Sequence, residues 1–185
     1  GESFRMSLFN VVSIMTGTGF KTEAFDSWGS FSIPIFFFIM FIGGCAGSTT
    51  CGIKIFRFQV LYAAAKTQFE NLAHPHGVFI PYYNGNPISD EVIKSVMSFF
   101  FVFGMTFALL AVGLALMGID FLTAVSAAAS AISNVGPGLG PIIGPEGNYS
   151  SLPDSAKWLL SAGMLLGRLE LFTVIVLFTR AFWKA

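Results

Sequence analysis

Two short tracts of this 185-residue chain offer chemistry through backbone oxygen rather than through side chains. Residues 13–21 read SIMTGTGFK and residues 130–138 read SAISNVGPG, each closing an apolar run with uncharged, glycine-bearing residues. The cores of the tracts are Thr16, Gly17, Thr18 and Gly19 in one, and Ser133, Asn134, Val135 and Gly136 in the other. Glycine there permits positive φ and close approach. Removing water from a monovalent cation is costly unless other oxygens replace the lost shell, and backbone carbonyls do so without adding formal charge. The chemistry expected of these residues is therefore coordination of a dehydrated cation. Plain packing turns are the alternative.

Arg168 is the sharpest single side chain. It lies in the middle of an otherwise apolar run, residues 158–178. An arginine at the centre of a membrane helix costs about 2.5–3.5 kcal/mol on insertion scales, so it should face protein or water and find a partner. Glu170, two residues on, is about 200° round a helix and is no same-face mate. Arg168 is expected to face a pore below the two tracts, where it would oppose a resting cation and bond loop carbonyls. A structural ion pair with another helix is the competing reading.

A third tract, GGCAGSTTCG at residues 43–52, is made of small residues and includes Gly43, Gly44, Gly47, Ser48, Thr49 and Gly52. Such residues make a poor helix. It follows ten apolar residues, about 15 Å of helix, or half the ~30 Å hydrocarbon depth. Gly43 and Gly47 also fit a helix-packing GxxxG face. Residues 47–54 approach a phosphate-binding loop, but the lysine is one position out of place and no strand precedes it. His74 and His76 flank a proline without a third ligand and read as loop residues. Cys45 and Cys51 read as small packing residues, with neither a disulfide framework nor a zinc site around them. No histidine lies in any apolar run, so an intramembrane Ser/His dyad lacks its base, and no enzyme is expected.

The elements that must position these residues belong to a membrane protein. Hydrophobic residues make up 54% of the chain and charged ones 11%, against about 25% charged in ordinary soluble domains. The 10 basic and 10 acidic residues balance, which argues against a nucleic-acid partner. Residues 1–5 do not open a signal peptide, and the chain reads as beginning within a longer protein. Residues 96–119 carry no charge and are long enough to span. Residues 33–65 predict a second crossing, broken at 43–52, and residues 158–178 a third. The runs at 6–15 and 121–133 are too short to cross and predict re-entrant half-helices, with surface or buried-core helices as the alternative. Lys54, Arg57, Lys66, Lys94, Arg180 and Lys184 cluster on one side, so residues 66–95 and the C-terminus should be cytoplasmic.

At one constant offset Ser13 meets Ser130, Thr16 meets Ser133 and Gly19 meets Gly136. The surroundings repeat as well, which predicts two copies of a helix, re-entrant segment, helix unit, the first copy lacking its opening helix. Two copies do not encircle an ion, so further segments are implied. The expected divisions are residues 1–65, a loop at 66–95, and residues 96–185.

TGTGF, GGCAGSTTCGIK, SNVGPG and GRLE together resemble the Trk/Ktr/HKT superfamily of potassium transporters, most closely its bacterial TrkH family, over nearly the whole chain. The resemblance implies an all-α integral membrane fold of potassium-channel-like M1–pore helix–M2 repeats, here the third repeat without its M1 and the whole fourth. It implies filter oxygens binding K⁺ at Thr18, Gly19, Val135 and Gly136, with Thr16, Gly17, Ser133 and Asn134 adjacent. It makes residues 43–52 a gate with Arg168. It also implies a homodimer in the bacterial inner membrane, N-terminal repeats of the same protein, and a TrkA-like cytoplasmic ring through which alone a nucleotide acts. The function implied is gated potassium uptake without a covalent cofactor; a broken-helix transporter coupled to a cation or proton is the rival.

Overall fold

A computed structural model describes residues 1–169, 176, 182 and 183. Helix α1 (Glu2–Met15), a 3-10 turn (Phe25–Ser27) and α2 (Ser32–Phe41) come first. Helix α3 (Ile55–Ala73) follows, then a minimal hairpin of β1 (Tyr82–Tyr83) and β2 (Asn86–Pro87). Helix α4 (Asp90–Leu116), α5 (Phe121–Ser133), a second 3-10 turn (Tyr149–Ser151) and α6 (Asp154–Arg168) complete the described chain.

Helix α4 is the one described helix long and apolar enough to cross a membrane. Asp90 and Glu91 occupy its first turn, where carboxylates complement the helix dipole. It ends where Gly118 turns left-handed at φ +82°. One face remains bare: Met97, Phe101, Met105, Leu109, Val112 and Leu116 are all exposed. An apolar stripe of that length is not displayed to water by soluble monomers.

Helix α5 is built differently, from Ala, Ser and Thr, and ten of its residues are buried. The Asp120 side chain caps it by accepting from the Thr123 amide at 3.0 Å. Its small side chains let α4 and α6 come close. On α6 a Cβ at Gly163 would lie 2.8 Å from Leu110 and 3.6 Å from Ala131. Leu110, Leu114, Ala127, Ala131, Leu160 and their neighbours form the larger core. A smaller core joins the two halves of the chain, with Ile14, Phe25, Phe36 and Met40 packed on Ala129, Val135 and Leu139. Phe25 stacks on Phe36 at 4.1 Å, and Phe41 meets Phe107 edge-on at 5.4 Å.

Within the segment expected as a loop at 66–95, α3 runs on to Ala73 and α4 starts at Asp90. Lys66 and Glu70, 3.8 Å apart one turn along α3, support that polar extension. The remaining piece is not purely helical: Asn84 at φ 48° and Gly85 at φ 79° make the tight turn of the hairpin, the left-handed pair that a two-residue hairpin loop requires. The run at 158–178 is helical from Asp154 to Arg168; Glu170, Arg180 and Lys184 lie outside the described residues.

Candidate ion-binding site

Helix α1 ends at Met15, and the chain turns twice through left-handed glycines, Gly17 at φ +68° and Gly19 at φ +75°. The Thr18 amide folds back onto the Ser13 carbonyl at 2.9 Å. The Ser13 hydroxyl donates to the Phe20 carbonyl at 2.5 Å. Thr16 and Thr18 hydroxyls sit 2.7 Å apart. Helix α5 ends in the same manner. Asn134 adopts the left-handed conformation, the Val135 amide returns to the Ser130 carbonyl at 3.0 Å, and Gly136 stands at φ +108°. Ser13 and Ser130, paired by the sequence offset, thus make the same main-chain bond to the residue five positions on.

The two tracts are neighbours. A Cβ on Gly19 would overlap the Val135 carbonyl oxygen and lie 3.4 Å from Pro137. One on Gly17 would stand 3.7 Å from the Asn134 carbonyl oxygen. The oxygens of Asn134 and Val135 are therefore turned towards the opposite tract, and at Gly19 the approach leaves no room for a Cβ. Among the described residues no donor reaches the carbonyls of Gly17, Thr18, Gly19, Asn134 or Val135. Gly136 differs, since its carbonyl accepts from the Tyr149 hydroxyl at 2.8 Å.

Polar residues behind the tracts hold them in place, and sequence reasoning missed most of these. Asn10, fully buried on α1, donates to Thr22 Oγ1 at 3.1 Å and accepts from the Thr22 amide at 3.2 Å. In the other copy Ser126, also fully buried, bonds both the amide and the carbonyl of Leu139, at 3.1 and 3.2 Å. Asn134 donates to the Met164 carbonyl on α6 at 2.9 Å. A lone Asn in the apolar run of α1 was a usable signal; Ser126 was camouflaged among small residues.

Arg168 is one turn beyond Met164 on the same helix. Its Nη1 donates to the Thr49 carbonyl at 2.8 Å and approaches Cys51 Sγ at 3.6 Å. Residues 42–54, between α2 and α3, are not helical, so Gly43 and Gly47 do not form a helix-packing face. The base of this loop is fastened by Gly43 N to the Ile53 carbonyl at 2.9 Å and Ile53 N to the Phe41 carbonyl at 2.8 Å. Its interior is fastened by the Thr50 hydroxyl, which accepts from the Gly44 amide at 2.9 Å and pairs with Ser48 at 2.5 Å. A cavity of about 280 Å³ is lined by loop residues 48–52 together with Lys54, Arg57, Phe99, Phe103, Gly167 and Arg168. The Arg57 guanidinium lies over the Phe99 ring at 3.8 Å. Among the described residues no group of three His, Cys, Asp or Glu could hold a metal, and both cysteines are free thiols. The arrangement offers carbonyl oxygens between the tracts and a positive side chain bonded to the loop at Thr49.

A family model for TrkH, a cation transport protein, matches residues 1–184. The Trk system potassium uptake protein TrkI of Halomonas elongata is 52% identical over 176 residues, which is 95% of this chain and 36% of that protein. TrkH of Escherichia coli K12 is 34% identical over 182 residues, 98% of this chain and 37% of its own length. The crystal structure of the potassium transporter TrkH from Vibrio parahaemolyticus superimposes with a TM-score of 0.89 at 38% identity, over 98% of this chain and 38% of that one. The chain therefore spans little more than a third of the length of the relatives it matches.

Proposed function

The chain belongs to the TrkH family of cation transport proteins, and from that premise we propose that it is the third- and fourth-repeat portion of a potassium uptake protein of a bacterial inner membrane. Residues 1–65 supply pore helix α1, one filter strand, and an M2 helix broken at the loop between α2 and α3. Residues 66–95 carry the cytoplasmic connection, and residues 96–185 supply M1 as α4, pore helix α5, the second filter strand and M2 beginning with α6. Potassium is cargo rather than cofactor. The carbonyls of Thr18, Gly19, Val135 and Gly136 replace its water, with Thr16, Gly17, Ser133 and Asn134 shaping the strands.

The observation that carries this reading is the pair of facing tracts in which the carbonyls of Gly17, Thr18, Gly19, Asn134 and Val135 meet no described protein donor. Polar backbone left unpaired at membrane depth costs several kcal/mol per group unless it lines a wet path or meets an ion. Below the tracts, the loop containing Gly43, Gly44, Gly47, Ser48, Thr49 and Gly52 closes the path while Arg168 holds Thr49. Release of that bond opens it. The N-terminal repeats of the same protein complete the ring of oxygens, a second copy forms a homodimer, and a TrkA-like cytoplasmic ring carries any nucleotide response.

Rb⁺ and Na⁺ uptake by the complete protein in lipid vesicles tests this. Gly136→Ser should lower the Rb⁺ to Na⁺ ratio, and Arg168→Ala should raise Rb⁺ flux without the regulatory ring. Parent fluxes in both variants would refute the filter and barrier assignments. Flux that follows a proton or sodium gradient, rather than the electrochemical gradient of the permeant ion, would favour the coupled broken-helix transporter.

A further inference from the structure

We propose that Tyr149 and Ser130 are positioning residues that clamp the peptide units on either side of Gly136 and so set the orientation of its carbonyl for ion selection. The inference rests on reading residues 133–136 as filter backbone. Tyr149 lies in the second 3-10 turn, well outside the tract, and its hydroxyl donates to the Gly136 carbonyl at 2.8 Å. Ser130, fully buried on α5, accepts from the Gly136 amide at 3.1 Å. The peptide before Gly136 is thus held through its N–H, and the one after it through its C=O.

The second hold is the more consequential. Gly136 stands at φ +108°, and a Cβ there would meet nothing within 4 Å, so packing does not restrain the residue. The next residue is Pro137, whose nitrogen carries no hydrogen. The carbonyl is then the only polar handle on the Gly136–Pro137 peptide, and glycine's torsions leave that plane free to rotate unless the handle is taken. A carbonyl oxygen has two acceptor positions, so Tyr149 can occupy one from behind while an ion occupies the other.

The ring that carries the hydroxyl is itself fixed. Tyr149 packs against the core shared by α4, α5 and α6. Burial raises the pKa of its phenol, against an opposing pull from the Ser130 hydroxyl, so the proton it donates is retained through neutral and mildly alkaline pH. The two tracts are not clamped alike. In the first, the Ser13 hydroxyl holds the Phe20 carbonyl, one position later than the equivalent of Gly136, and no described donor reaches the Gly19 carbonyl. The phenol therefore distinguishes one oxygen of the ring from its counterpart in the neighbouring repeat.

The test compares Rb⁺ and Na⁺ uptake by the complete transporter in vesicles for the parent, Tyr149→Phe, Ser130→Ala and Gly136→Ser. Because the ratio of the two fluxes is read on the same preparation, it does not depend on how much protein has folded. Tyr149→Phe should lower the Rb⁺ to Na⁺ ratio about fivefold, or ~1 kcal/mol at 1.4 kcal/mol per tenfold, with Ser130→Ala changing it in the same direction. A parent ratio in Tyr149→Phe, alongside an altered one in Gly136→Ser, would overturn the clamp and leave the filter reading standing. Parent ratios in all three variants would remove the filter reading itself. Should Tyr149→Phe fail to assemble, the ratio in Ser130→Ala decides the matter alone.

Discussion

At the residue scale, glycine at position 19 is required twice over. Its φ of +75° costs other residues about 1–2 kcal/mol, and any Cβ would push into the Val135 carbonyl. Gly19→Ala should therefore damage ion discrimination, read as a lower Rb⁺ to Na⁺ flux ratio in vesicles, whereas Gly104→Ala, where a Cβ meets nothing within 4 Å on α4, should leave it at the parent value. The buried amide of Asn10 makes a second case. Replacing it with Ala leaves the Thr22 amide and hydroxyl without that partner, which should cost about 1–3 kcal/mol, seen as a lower thermal unfolding midpoint of the purified protein. The left-handed turns at Gly19 and Gly136 were legible in the sequence, because glycine closing an apolar run readily takes positive φ. Tyr149 was not legible. Its bond to Gly136 is tertiary, and nothing in NYSSL announces where a tyrosine in a turn will point.

At the element scale, the break between α2 and α3 follows from composition, since small residues neither favour a helix nor fill one side of it. That part of the architecture could be read directly from GGCAGSTTCG. Contact between this loop and Arg168 required the fold, although the cost of an unpartnered arginine in an apolar run had demanded some acceptor. Thr50 fastens the loop from inside, so under the proposed gating role Thr50→Val should raise Rb⁺ flux in vesicles, to a smaller extent than Arg168→Ala. Gly167→Ala belongs here as well. Its Cβ would overlap the Ile132 carbonyl at the crossing of α5 and α6, so the thermal midpoint should fall well below that of Gly104→Ala. The tyrosine-bearing hairpin escaped sequence reading because four residues of strand, split by Asn84 and Gly85, leave too short a pattern for an alternation to show.

At the scale of the whole molecule, the described chain is two unequal halves joined through a small core of Ile14, Met40, Ala129, Val135 and Leu139. Val135, whose carbonyl faces Gly19, belongs to that core, so packing between the halves bears on the spacing of the two tracts. The likeness of the two turns was legible from Ser13 and Ser130, whose carbonyls accept from the residues five positions on, and this chain covers only 36–37% of the relatives' length. On the outside, the bare stripe of α4 faces lipid under this account. An arginine replacing Leu109 there should weaken membrane insertion by about 2.5–3.5 kcal/mol, measurable as a loss of the membrane-inserted fraction. The most direct test of the central claim is anomalous diffraction from crystals of the complete protein grown in Rb⁺. The account expects a rubidium peak between residues 17–19 and 134–136, within coordination distance of the Thr18, Gly19 and Val135 carbonyls; a clear peak elsewhere in the protein with none between these tracts would contradict it.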